Sequence, residues 1–69
     1  MRFEGIEVIS EEAARGRGLR ALTYAVSAER EADKLRGFIG DMRRKKTVFA
    51  LVESGGGIEV WREPPGGVA

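Results

Sequence analysis

Cysteine and histidine are both absent from the 69 residues of this chain. Without them there is no disulfide, no thiolate nucleophile, no imidazole base and no zinc ligand set. Any catalysis would rest on carboxylates, hydroxyls, lysine and arginine. Glu11 and Glu12 are sequence neighbours, and Glu4 with Glu7 sits on an edge-like strand. No carboxylate pair has the spacing of a glycosidase dyad or of a cation-binding loop. The reading is a protein that is not an enzyme and needs no metal or cofactor. Asparagine and glutamine are also missing, while charged residues make up 33% of the chain. A dense surface of both charge signs without heat-labile amides is a thermophile composition. No apolar run nears the ~20 residues of a membrane span, and Met1-Arg2-Phe3-Glu4 lacks the apolar stretch of a signal peptide. These features predict a cytoplasmic protein with no membrane partner.

A chain of this length buries only ~60% of its unfolded surface and often gains stability from a partner. Apolar and β-branched residues predict strands over Arg2 to Ile9 and Leu19 to Val26, joined by a loop or helical stub that Ser10 caps. Gly16 and Gly18 each cost a helix interior ~1 kcal/mol, which argues against one long helix through this region. Ser27 is a candidate N-cap for an amphipathic helix from about Ala28 to Lys45. Its apolar stripe is Ala28, Ala32, Leu35, Ile39 and Met42, widened by Phe38. Thr47 to Val52 and Ile58 to Arg62 read as a hairpin around Ser54-Gly55-Gly56-Gly57. Pro64, Pro65, Gly66 and Gly67 end regular structure, so residues 1–63 form a single domain and 64–69 a flexible tail. The expected fold is α+β in the order β-β-α-β-β, a four-stranded mainly antiparallel sheet with one helix on one face.

One helix covers one face, yet the strands are apolar on both. Leu22, Tyr24, Phe49, Leu51 and Trp61 are the residues expected on the uncovered side. There they form the interface of a homo-oligomer, a dimer above all, unless the sheet curls and the first strand or the Ser10 to Gly18 loop folds over them.

Net charge is only +1, so electrostatic function depends on distribution. Ser27 to Lys46 carries seven basic and four acidic residues, against one basic and three acidic from Thr47 to Ala69. The surplus ends in Arg43-Arg44-Lys45-Lys46, a run suited to phosphates and equally to the negative end of the helix dipole. Arg15, Arg17 and Arg20 form a second basic group among glycines. Gly37-Phe38-Ile39-Gly40 has the letters of a nucleotide-clamping loop, but Ile39 fits the helix stripe. Tyr24 and Trp61 are candidates for stacking on bases, a role that competes with burial in a core. The expectation is a homo-oligomeric protein that binds nucleic-acid phosphates through these seven basic residues. The competing expectation is an adaptor subunit acting through its apolar sheet face.

Overall fold

The computed structural model describes residues 1–64. They form β1 (Arg2–Phe3), β2 (Ile6–Ile9), α1 (Glu11–Gly16), β3 (Arg20–Ala21), α2 (Ala32–Arg44), β4 (Phe49–Ser54) and β5 (Gly57–Arg62). The sheet has five strands in the order β1-β2-β4-β5-β3. The α+β class and the single main helix are as expected, while the sheet is mixed: β2 runs parallel to β4, and the other pairs are antiparallel. Among the described residues no helix is long and apolar enough to cross a membrane.

The extra strand comes from the N-terminus. Glu4 and Gly5 take positive φ values of 52° and 78°, so the expected strand over Arg2 to Ile9 folds back on itself. Two consecutive left-handed residues make the tight turn whose twist matches that of paired strands. Gly55 and Gly56, at 49° and 85°, make the same kind of turn between β4 and β5. Gly57 follows because there is no room for a side chain: a Cβ would lie 3.0 Å from the Val26 carbonyl oxygen.

The strand expected over Leu19 to Val26 shrinks to Arg20–Ala21 and one further bridge, Val26 to Ile58. Helix α2 starts later than Ala28. Ser27 does cap a turn, accepting from the Arg30 N–H at 3.1 Å, but Glu31 leaves the helical region (φ −126°, ψ 34°) and separates that turn from α2. Leu35, Ile39 and Met42 are the buried positions of α2, with the i, i+4, i+7 spacing of one face. Pro65 and the rest of the expected tail lie outside the described residues.

Two apolar clusters sandwich the sheet. Leu51, Ile58, Val60 and Val26 meet Leu35 and Ile39 of α2. Ala50, Val52 and Trp61 on the opposite face meet Ala14 of α1 and Leu19. This corrects the assignment of faces. Phe49 and Leu51, expected on the uncovered side, lie under α2, where Leu51 packs with Leu35 and Ile39. Small Ala14 and Ala50 allow α1 to approach closely on the other side. Ser10 caps α1 by accepting from the Ala13 N–H at 3.1 Å, and Glu11 and Glu12 favour its positive end. The 10–18 segment thus does fold over the second face.

Candidate functional site

Four chain segments converge where β4 begins. Arg44 ends α2, and Lys45 and Lys46 turn the chain toward Phe49. Phe49 pairs with Arg62 at the end of β5, and Arg62 pairs with Arg20 at the start of β3. Directly opposed residues of neighbouring strands hold their Cβ atoms about 5 Å apart, so two guanidinium groups leave the sheet side by side. Among the described residues neither Arg20 nor Arg62 has an acidic partner within 4.0 Å. A like-charged pair of this kind is relieved by an anion that both can reach.

The basic run lies at the same end of the molecule. Arg44 and Lys45 meet Asp41 at 2.8 and 3.2 Å, so among the described residues the only acid they engage is one on their own helix, and Glu53 and Glu59 are not drawn in. Hydrogen bonding from Arg44 and Lys45 holds the Asp41 carboxyl below its ordinary pKa range. Among the described residues Arg43 and Lys46 have no acidic partner within 4.0 Å. Lys46 has φ 55°, and its N–H and that of Thr47 donate to Arg43 and Met42 carbonyls at 3.1 and 2.9 Å. This closes the helix in the Schellman manner.

The second basic group is divided. Arg15 lies on the α1 side, paired with Glu11 at 3.3 Å and 5.9 Å from the centre of the Trp61 ring. Arg17 is the exposed C-cap of α1. Arg20 stands between the groups, opposite Arg62 and also on the border of a shallow groove of about 670 Å³ that reaches Arg15 and Trp61. The seven expected cations therefore do not share one patch. Arg20 stands opposite Arg62 at the end of the sheet where β4 leaves the α2 run, and Arg15 stays on the other face.

The five residues expected at an oligomer interface also separate. Leu51 is fully buried and Phe49 packs beside it under α2. Trp61 is 4% exposed, covered by the α1 layer, with its indole N–H donating to Glu59 at 2.8 Å. Only Leu22 and Tyr24, 37% and 76% exposed, reach solvent. They do so because the outer chain is too long for its partner: four residues, Leu22 to Ala25, face the two on β5 between Ile58 and Trp61. The bulge is tied down as Leu22 N–H donates to the Val60 carbonyl at 2.8 Å and Val60 N–H donates to Thr23 Oγ1 at 3.2 Å.

Between this bulge and α2 lies a cleft of about 660 Å³ lined by Leu22, Tyr24, Lys34, Phe38, Asp41 and Arg44. Lys34 pairs with Glu31 at 2.8 Å. Its pKa is raised, first by the hydrogen bond and charge of Glu31 and then by Tyr24. Arg62 and Lys34 were not among the expected site residues. Nothing local marks them, since one closes an ordinary strand and the other decorates an ordinary helix. No family model, curated protein or solved structure matches the chain.

Proposed function

We propose that this chain is a non-enzymatic nucleic-acid-binding protein that holds backbone phosphates at the end of the molecule where α2, β4, β5 and β3 meet. The supporting observation is the register that sets Arg20 against Arg62 beside the exposed run Arg43 to Lys46. These cations come from segments far apart in sequence and face few acids. Arg20, Arg43, Lys46 and Arg62 carry charge that no described carboxylate takes up. Phosphate binding by such groups is driven by counterion release. About four contacts give a log–log salt slope near −3.6 on duplex, or an affinity loss of about 150-fold between 50 and 200 mM salt. Fluorescence anisotropy with labelled duplex and single-stranded oligonucleotides measures this. Absence of binding to both at low salt refutes the proposal.

A second reading rests on the exposure of Leu22 and Tyr24. It makes the chain a structural subunit that self-assembles, as a dimer in the first instance, through the edge of β3. With Trp61, Phe49 and Leu51 used inside the chain, only this edge supplies apolar surface from the expected set. Sedimentation at micromolar concentration tests it, and a monomer rejects it.

A further inference from the structure

We infer that the cleft between the Leu22–Ala25 bulge and α2 receives an unstacked nucleobase on Tyr24, which makes the nucleic acid recognised here single-stranded. This rests on the proposed phosphate-binding function and names its substrate class. Tyr24 stands 76% exposed, whereas the aromatics of the strands, Phe3, Phe49 and Trp61, are packed against the two cores. Bulge hydrogen bonds at Leu22, Thr23 and Val26 hold the backbone on either side of Tyr24. With the backbone held, stacking a base costs only the two side-chain torsions of Tyr24.

The cleft divides its chemistry as a nucleotide does. Leu22 and Phe38 supply apolar surface for a base, while Lys34 and Arg44, each already shared with a carboxylate at 2.8 Å (Glu31 and Asp41), stand on the side its phosphates would take. Asp41 is the one acid in the lining, and it is already engaged by Arg44 and Lys45. The wall is open at Gly37, where a Cβ would meet nothing within 4 Å. The volume of about 660 Å³ falls in the range of small-molecule sites, roughly 300–1,000 Å³. Arg44 belongs both to this cleft and to the basic run, so a strand lying along the run passes the mouth of the cleft. A duplex keeps its bases paired and stacked inside and offers the cleft no free base. Base–aromatic stacking tolerates any sequence because every base has a π face.

The test is anisotropy with three labelled probes of about 12 nucleotides, a length within the usual single-strand site sizes: oligo-dT, the same backbone made abasic, and a duplex. Wild type is expected to bind oligo-dT more tightly than the equally charged abasic strand. Tyr24→Ala is expected to weaken oligo-dT binding roughly 5- to 150-fold, down to the abasic level, with duplex affinity and salt slope unchanged. Tyr24→Phe retains wild-type affinity. Equal wild-type affinity for oligo-dT and the abasic strand overturns the inference. So does a Tyr24→Ala loss that is equal on all three probes, or no loss at all. If Tyr24→Ala turns a dimer into a monomer while oligo-dT affinity stays intact, the cleft belongs to a second copy and the inference fails. In each of these cases the phosphate reading survives as long as wild type binds some probe; binding to none removes both.

Discussion

At the scale of single residues, Lys46 does two unrelated things. Its side chain belongs to the basic surface, and its backbone, at φ 55°, closes α2. A β-carbon in the left-handed region costs about 1–2 kcal/mol, which glycine avoids while giving back part of the gain in unfolded-state entropy. Lys46→Gly is therefore expected to stabilise the protein by about 0.5–1 kcal/mol in urea unfolding, and to lower the magnitude of the nucleic-acid salt slope by about one contact. The charge was plain in the sequence, whereas the backbone role was not, because lysine is not a usual left-handed residue. Glu4 hid the first turn in the same way, while Gly55 and Gly56 announced the second.

At the scale of elements, α1 and α2 persist for different reasons. A helix of six residues is far too short to hold itself in water. It persists because Ala14 is buried against Ala50, Val52 and Trp61 and because Ser10 satisfies the Ala13 N–H. Ser10→Ala is expected to cost about 1 kcal/mol. As α1 frays, Trp61 becomes wetter, and its fluorescence shifts to the red before the sheet unfolds. Helix α2 carries its own acid dependence. The ion pairs of Asp41 with Arg44 and Lys45, and of Glu31 with Lys34, hold both carboxyls below their ordinary range. A carboxyl depressed by folding contributes stability that is full above its unfolded value and is lost as pH falls through the folded one. Both pairs are solvent-exposed, so the effect is small and screened by salt. The thermal midpoint is expected to fall below about pH 4, and Asp41→Asn to flatten that fall. The same variant frees Arg44 and Lys45 and tightens nucleic-acid binding at neutral pH.

At the scale of the whole molecule, one sheet serves two cores. Leu51 lies at its centre, fully buried, paired with Val8 on one side and Val60 on the other. A chain of this length has a total stability of about 3–10 kcal/mol, and a buried Leu→Ala change removes about 2–5 kcal/mol. Leu51→Ala is expected to leave a substantial unfolded population at room temperature, seen as a broad, early melt by circular dichroism.

Neighbouring residues were enough to reveal much of this protein. The apolar spacing of Leu35, Ile39 and Met42, the Gly55–Gly56 turn, the β-branched run before it, the Ser10 cap and the basic end of α2 all express rules that act within one or two turns of chain. Other features required distant segments to meet. The parallel pairing of β2 with β4, the choice of Phe49 and Leu51 for the α2 face, the covering of Trp61 by α1, and the meeting of Arg20 with Arg62 are set by register and by how side-chain volumes fill two layers. Alternation along a strand separates its two faces but carries no label for which helix each will meet, so packing made that assignment and drew the candidate site together.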